Sequence, residues 1–141
     1  MTENHTQTPH ELYIRLYYED TDAGGIVFYA NYLKYFERAR TEWLRSLGIN
    51  QSQMVEETGQ IFVVKQASLD YRRPARLDDL LCIRTRIEQL ASASVTFAQQ
   101  AWLDDTLLCS SQIQVVCVDA QRLRPTKFNP SLRLTLEKAQ N

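Results

Sequence analysis

The sequence predicts an α+β fold in which an antiparallel sheet wraps around one long central helix. Three observations support this prediction: one segment carries apolar residues at helical spacing, four strand-like runs fill the second half of the chain, and short polar connections join the last three runs. A helix and a sheet that each have one apolar face cover both faces by packing together. The 141 residues predict a single domain over residues 11–141, after a flexible tail over residues 1–10.

The first half of the chain contains one predicted strand, the long helix and a shorter helical segment. Residues 12–18 show a period-two pattern rich in aromatic and β-branched types, which predicts a strand. The long helix is expected to stop before Gly48, and residues 50–58 predict one or two helical turns that end at Gly59. The apolar face of the long helix comprises Tyr29, Tyr32, Leu33, Phe36, Ala39, Trp43, Leu44 and Leu47.

The second half of the chain predicts four strands, at residues 61–71, 80–90, 94–103 and 107–118. The tight connections between the last three strands predict an antiparallel meander. A short C-terminal helix is predicted over residues 131–138.

Composition and charge exclude several classes of function. The formal net charge of −1 and the pI of about 6.1 provide no basic field of the kind that non-specific nucleic-acid binding requires. Cys82, Cys109 and Cys117 form an odd set without CxxC spacing, which predicts reduced core thiols and no disulfide. The N-terminus lacks the pattern of a secretory signal, and no apolar run is long enough to span a membrane. We therefore expect a cytoplasmic protein.

The loop at residues 20–25, Asp-Thr-Asp-Ala-Gly-Gly, lies directly before the long helix. Its glycines allow close approach of a ligand to the backbone, and unpaired N–H groups at a helix start polarise a carbonyl group. The loop is not an EF-hand, because Gly24 and Asn31 occupy positions that need an oxygen ligand and a glutamate, and no metal ion is expected. Asp20 and Asp22 have two interpretations: a cap of the helix or of a turn, or a catalytic carboxylate.

The distribution of histidine restricts the chemistry of a site at this loop. His5 and His10 both fall in the predicted tail, so the folded part is predicted to lack an imidazole. Acid–base or nucleophilic work then falls to carboxylate, tyrosine, lysine or thiol groups. Thioester hydrolysis suits such a site, because a thiol with a pKa of about 8.5 leaves as thiolate without a strong general acid. A carboxylate would attack the carbonyl or activate a water, and N–H groups at the helix start would stabilise the oxyanion.

The stretch EDTDAGGIVFYANYLKYFERARTEWL resembles the motif of the YbgC-type acyl-CoA thioesterases, which are relatives of 4-hydroxybenzoyl-CoA thioesterase in the hotdog superfamily. The resemblance continues through VVKQASLDYRRPARLDDLL and VVCVDAQRLRP, and so covers nearly the whole chain apart from the tail. It implies the hotdog fold, hydrolysis of acyl-CoA to free acid and CoA, and no cofactor.

The resemblance also implies roles for individual residues. The catalytic aspartate of the family falls on Asp22, as nucleophile or general base, while Asp20 becomes structural. The backbone N–H that polarises the thioester carbonyl falls on Tyr29, at the start of the helix. Arg124, with Lys127 near it, corresponds to the basic residues that bind coenzyme A phosphates.

The same resemblance implies that the site lies at the interface of a homodimer, and that two dimers pair into a homotetramer. Lys65 lies on a strand expected near this interface, as a substrate-binding residue or as a partner in an interfacial ion pair. Two alternative functions are open: a binding or scaffold protein of the acyl-carrier and envelope machinery, with acyl carrier protein as a partner and weak hydrolysis, and a hotdog dehydratase. The dehydratases use a histidine with an acid, and the predicted folded part has no histidine.

Overall fold

The computed structural model of the chain describes residues 8–140. Within that range the strands are β1 (His10–Arg15), β2 (Gln60–Tyr71), β3 (Leu80–Leu90), β4 (Ser94–Leu103) and β5 (Thr106–Asp119). The α-helices are α1 (Asn31–Ser46), α2 (Gln51–Thr58) and α3 (Pro130–Gln140), and a 3-10 turn spans Tyr18–Asp20. Every predicted element is present, and the bounds of β3, β4 and β5 lie within one residue of the predicted ones. No helix in this range is long and apolar enough to cross a membrane.

The five strands form one antiparallel sheet in the order β1-β3-β4-β5-β2. The meander β3-β4-β5 is confirmed, and β2 pairs with β5, so β2 is an edge strand of the sheet. One apolar core joins the inner face of the sheet to α1, with Phe36 and Ala39 of the helix fully buried beside Ile83 and Phe97. The predicted α+β hotdog architecture, a sheet wrapped around a central helix, is confirmed.

The buried face of α1 differs from the predicted face at several positions. The buried residues are Tyr32, Tyr35, Phe36, Ala39, Arg40, Trp43 and Leu44, which recur at steps of three, one, three, one, three and one. Leu33 and Tyr29, predicted to be apolar contacts, are 43% and 62% exposed. Arg40 takes a position in the buried stripe because Gln99, deep in the sheet, accepts a hydrogen bond of 2.9 Å from its guanidinium.

The prediction that the folded part has no imidazole was wrong for His10. Strand β1 begins at His10, which pairs with Thr85 of β3, and the imidazole stacks on Trp43 with 5.9 Å between ring centroids. Burial lowers the pKa of His10, against the opposing effect of nearby carboxylates. Trp43 lies twelve residues beyond the first residue of α1, roughly 18 Å along the helix, so His10 is remote from the loop before α1. Residues 1–7 of the predicted tail, including His5, lie outside the described residues.

Helices α1 and α2 end where the sequence indicated. Gly48 follows α1 with a φ of 87°, and Gly59 follows α2 with a φ of 70°, both in the left-handed region that glycine adopts without strain. Asn50 caps α2, since its side-chain oxygen accepts hydrogen bonds from the backbone N–H groups of Ser52 and Gln53.

Candidate active site

The chain between the 3-10 turn and α1 folds back on itself as a small hairpin loop. Thr21 and Val27 form an antiparallel bridge, and the Asp22 N–H donates to the Ile26 carbonyl oxygen at 2.9 Å. Gly25, inside this loop, has a φ of 78°, a conformation that a residue with a Cβ rarely adopts. The hairpin therefore holds Asp22 in a defined place without regular secondary structure.

Asp20 fastens the hairpin to the elements on both sides. Its carboxylate Oδ2 accepts a hydrogen bond from the Tyr17 N–H at 2.8 Å and so caps the 3-10 turn. Its carbonyl oxygen accepts from the Phe28 N–H at 3.2 Å and from the Asn31 side-chain Nδ2 at 2.9 Å, which ties the loop to the first residue of α1. These hydrogen bonds join Asp20 to Tyr17, Phe28 and Asn31.

Asp22 is exposed, and only one of its two carboxylate oxygens accepts a hydrogen bond from a described residue. Its Oδ1 accepts a hydrogen bond of 2.8 Å from the Gly24 N–H, while Oδ2 has no hydrogen-bond partner within residues 8–140. A Cβ on residue 24 would come within 3.3 Å of Asp22 Oδ1, so glycine leaves space for this contact. Neither aspartate caps α1, whose N-cap residue is Ala30. One carboxylate oxygen of Asp22 is thus oriented and the other is available for chemistry.

Tyr29 lies in a turn two residues before α1, rather than in the helix as the sequence suggested. Within the described part of the chain, neither its backbone N–H nor that of Ala30 donates a hydrogen bond. The next N–H, of Asn31, is already donated to the Phe28 carbonyl oxygen at 2.9 Å. Two unpaired N–H groups therefore stand at the positive end of α1, which is the arrangement that stabilises an oxyanion.

Aromatic side chains pack beside these N–H groups. The Tyr29 ring meets the Tyr71 ring edge-on with 5.7 Å between centroids, and Tyr32 also contacts Tyr71 at 5.7 Å. Burial raises the pKa of Tyr32 to about 12 and that of the Cys109 thiol to about 12, so both groups stay protonated at neutral pH. Neither is therefore a ready nucleophile or base at neutral pH.

Lys65 occupies an irregular position in the edge strand β2. The pairing of β2 with β5 shifts register between Val64 and Gln66, so Lys65 has no partner residue across the strand pair. Its side chain is exposed and makes no hydrogen bond or ion pair with any other described residue. Bulges of this kind often occur next to active sites and re-aim a side chain. Both predicted interpretations of Lys65, substrate contact or interfacial ion pair, are compatible with this position.

Arg124 and Lys127 lie far from Asp22 and Tyr29 within one chain. They follow β5 in a loop whose backbone is fixed at the Gln60 end of β2, where the Gln60 side chain donates to the Lys127 carbonyl oxygen at 2.9 Å. Tyr71, the neighbour of Tyr29, is at the other end of the same strand, roughly 36 Å away. A single chain therefore does not bring the predicted cations to the predicted catalytic residues.

Sequence reasoning missed Tyr71 and Arg40. The contact of Tyr71 with Tyr29 joins residues far apart in the chain, and no local pattern signals it. Arg40 carried a usable signal, because it follows Phe36 by four positions and so falls within the apolar stripe, where a charged residue needs a partner.

A family model described as the thioesterase superfamily matches residues 24–110 of the chain. The acyl-CoA thioesterase YbgC of Haemophilus influenzae is 44% identical over 115 residues, which cover 82% of this chain and 85% of that protein. The acyl-CoA thioester hydrolase YbgC of Escherichia coli is 42% identical over 120 residues, which cover 84% of this chain and 89% of the relative.

Solved structures give the same result for the fold. A probable thioesterase from Bartonella henselae superimposes with a TM-score of 0.80 at 31% identity, covering 86% of this chain and 99% of that one. The DHNA-CoA thioesterase from Staphylococcus aureus superimposes with a TM-score of 0.86 over 94% of this chain and 91% of its own. Its 20% identity makes this second likeness evidence for the fold alone.

Proposed function

The chain belongs to the thioesterase superfamily and is an acyl-CoA thioesterase, and on this premise we propose that Asp22 drives the attack on the thioester carbonyl. Two observations together support this proposal. Asp22 has one carboxylate oxygen without a hydrogen-bond partner among the described residues, and the N–H groups of Tyr29 and Ala30 at the start of α1 are unpaired there. The hairpin loop that holds Asp22 continues directly into the turn that carries those N–H groups.

The reaction needs little more than these groups. With Asp22 as general base, Oδ2 takes a proton from water while the water oxygen adds to the thioester carbon. With Asp22 as nucleophile, Oδ2 itself adds to that carbon, and water later hydrolyses the mixed anhydride. In both routes the N–H groups of Tyr29 and Ala30 stabilise the oxyanion, the C–S bond breaks, and the sulfur leaves with the electron pair as CoA thiolate.

The two routes for Asp22 predict different labelling. In a single turnover in oxygen-18 water, the nucleophilic route gives an acylated peptide containing Asp22 in a rapid acid quench, with label in Asp22 whenever water attacks the aspartyl carbon. The general-base route gives no acylated peptide and places the label in the acid product alone. Mass spectrometry of the peptides and of the acid product measures both the acylation of the Asp22 peptide and the position of the oxygen-18 label. Label in neither Asp22 nor the product would exclude both routes.

We propose that the functional unit is a homodimer formed along the free edge of β2. None of the twelve residues of β2 is buried, and Val63, Val64 and Tyr71 are each more than 40% exposed. A long edge strand with exposed apolar side chains is an aggregation hazard unless it is protected, and pairing with another strand is one form of protection. A second copy of the same strand, related by a two-fold axis perpendicular to the sheet, pairs with it in the antiparallel sense.

This proposed pairing accounts for the position of the predicted cations at the end of β2 that is far from Asp22 and Tyr29 of the same subunit. Antiparallel pairing of two β2 strands brings the Gln60 end of one subunit to the Tyr71 end of the other. Arg124 and Lys127 of one subunit then stand beside Asp22 and Tyr29 of the other. We propose that these two cations bind the phosphates of coenzyme A there, with Lys65 at the interface between them.

Mixed dimers test the shared site. The Asp22→Asn dimer is expected to lose about a hundredfold or more in kcat, and a dimer of the double variant Arg124→Ala/Lys127→Ala is expected to show a KM for acyl-CoA raised about tenfold or more. A heterodimer of the two restores one complete site, with Asp22 from one subunit and both cations from the other. It should show a wild-type KM and half the wild-type kcat. A heterodimer that keeps the raised KM would place the cations and Asp22 in one chain.

Three further features are part of the proposal. We propose that two dimers pair into a homotetramer, which native mass measurement of the same samples distinguishes from a dimer. Acyl carrier protein is proposed as a partner, tested by hydrolysis of acyl-carrier thioesters. A cytoplasmic location is proposed because Cys82, Cys109 and Cys117 are all buried and unpaired, as in compartments that keep thiols reduced.

A further inference from the structure

Arg40 is a buried cation whose guanidinium has no acidic partner within ion-pair distance in residues 8–140. It is 8% exposed, and its one side-chain hydrogen bond runs from Nη1 to the neutral amide oxygen Oε1 of Gln99 at 2.9 Å. Burial lowers the pKa of Arg40 to about 10, while Glu37, three residues earlier and exposed, acts in the opposite direction. A guanidinium carries five N–H donors, so most of its hydrogen-bonding capacity is not used by Gln99.

These donors border a small cavity between α1 and the inner face of the sheet. The cavity has a volume of about 80 Å³. Phe62 and Val64 of β2 and Phe97 of β4 supply apolar walls on the sheet side, and the helical side carries Arg40 with the polar residues Glu37, Thr41 and Gln51. The space suffices for the terminal group of a small molecule, and the charged groups in the lining are the buried Arg40 cation and the exposed Glu37 carboxylate, which lies beyond ion-pair distance of Arg40. A largely buried guanidinium gains from a further acceptor that reaches it.

The inferred dimer relates this cavity to the active site, and the inference rests on that proposed function. Phe62 and Val64 lie in the Gln60 half of β2, and Tyr71 lies at the opposite end next to Tyr29. Antiparallel pairing of the two β2 strands therefore brings the cavity of one subunit towards the catalytic loop of the other. An acyl group attached at that loop can extend along the inner face of the joint sheet into the cavity.

We propose that the Arg40 cavity of one subunit binds the distal end of the acyl group held at Asp22 of the other, and that it selects acyl groups ending in a carboxylate. A terminal carboxylate pairs with the guanidinium through two parallel N–H···O bonds, and this pairing gives Arg40 a carboxylate within hydrogen-bond distance. A terminal methyl group of a chain of equal length offers these donors no acceptor. Sites built to hydrogen-bond a substrate group discriminate strongly against analogues without that group.

The test compares matched pairs of substrates that differ only at the distal end. Hexanoyl-CoA and adipoyl-CoA form one pair, and octanoyl-CoA and suberoyl-CoA form another, so that two chain lengths are sampled. We expect kcat/KM of the wild-type enzyme to favour the carboxylate-ended member by about tenfold or more at one of these lengths. Equal values, or a preference for the methyl-ended member at both lengths, would overturn the inference.

Variants assign the preference to Arg40. In Arg40→Met the ratio of the two kcat/KM values is expected to fall to about one, and in Arg40→Lys, which keeps the charge but loses the planar fork, to an intermediate value. Arg38→Met is the matched control: Arg38 is exposed on the same helix, and the wild-type ratio should persist. A ratio that stays high in Arg40→Met, or falls as far in Arg38→Met, contradicts a role for the Arg40 cavity.

A second measurement uses the wild-type enzyme alone, in case Arg40→Met does not fold. Free adipate and hexanoate are compared as inhibitors of hexanoyl-CoA hydrolysis, and adipate is expected to inhibit at a concentration about tenfold lower. Equal inhibition would overturn the inference. If hexanoyl-CoA hydrolysis depends on Asp22 but kcat/KM is the same for methyl-ended and carboxylate-ended acyl groups, this inference fails and the proposed function stands. If no thioester is hydrolysed, or Asp22→Asn keeps full activity, the proposed function fails and this inference fails with it.

Discussion

Replacement of Asp22 by asparagine is expected to lower kcat for acyl-CoA hydrolysis by about a hundredfold or more, as loss of a general base or nucleophile does. The change is nearly isosteric, and the asparagine oxygen can still accept the hydrogen bond that the Gly24 N–H donates to Asp22 at 2.8 Å. The loop geometry should therefore survive while the reactive carboxylate oxygen is lost. The measurement is release of free thiol from short-chain, long-chain and aromatic acyl-CoAs.

The matched control for Asp22→Asn is Glu19→Gln, which removes a nearby exposed carboxylate that makes no hydrogen bond with other described residues. This control should keep kcat within about twofold of wild type, because an exposed, unpaired carboxylate contributes little to the site. Circular dichroism and thermal melting of both variants check that each is folded. An Asp22→Asn enzyme with near-wild-type kcat would remove Asp22 from the mechanism, and turnover of acyl-carrier thioesters would then be the next measurement.

Replacement of Gln99 by leucine is expected to destabilise the fold by about 3 kcal/mol, the largest effect on stability that we predict. Gln99 is fully buried, and its side chain accepts from Arg40 and donates to the Phe36 carbonyl oxygen and to Thr85 Oγ1, each at 2.9 Å. Leucine removes all three hydrogen bonds and leaves the Arg40 cation buried with no acceptor. Urea denaturation followed by circular dichroism measures the change.

A double variant separates the buried charge from the loss of packing. Arg40→Met/Gln99→Leu removes cation and acceptor together, so we expect it to be more stable than Gln99→Leu by about 1–3 kcal/mol. Gln114→Leu on β5 is the control, because the Gln114 side chain makes no hydrogen bond with other described residues, and its effect should stay within about 0.5 kcal/mol. A double variant less stable than the Gln99→Leu single would show that the unpaired charge is not the cause.

Local patterns predicted the helices, the strands and the loop before the long helix. The strands at residues 80–90 and 94–103 were predicted to the residue because alternation and turn residues act over a few positions. The loop was singled out because two carboxylates, two glycines and a helix start follow each other within a short stretch of chain, and the resemblance to the YbgC-type family then assigned the catalytic role to Asp22. The hydrogen bonds around Asp22 join near neighbours, whereas Ile26 and Val27 pair with Arg76 and Ala75, about fifty residues later in the chain.

The buried side of α1 was only partly predictable. Periodicity identified Phe36, Ala39 and Trp43, but hydrophobicity placed Leu33 in the core and left Arg40 out. The charge of Arg40 is tolerated because Gln99, 59 residues later in the chain, reaches it from the sheet. A pattern of residue types does not contain the position of that partner.

The sequence by itself determined the helix, the strands, the loop with Asp22 and, through its resemblance, the family. Only the tertiary structure decided that β2 pairs with β5 and so forms an open edge, that Tyr71 meets Tyr29, and that Arg124 and Lys127 lie at the far end of β2 from them. The physical reason is the distance along the chain over which each kind of interaction acts. Helical and strand periodicity arise from backbone geometry over a few residues, whereas strand order and side-chain contacts depend on packing between segments distant in the chain.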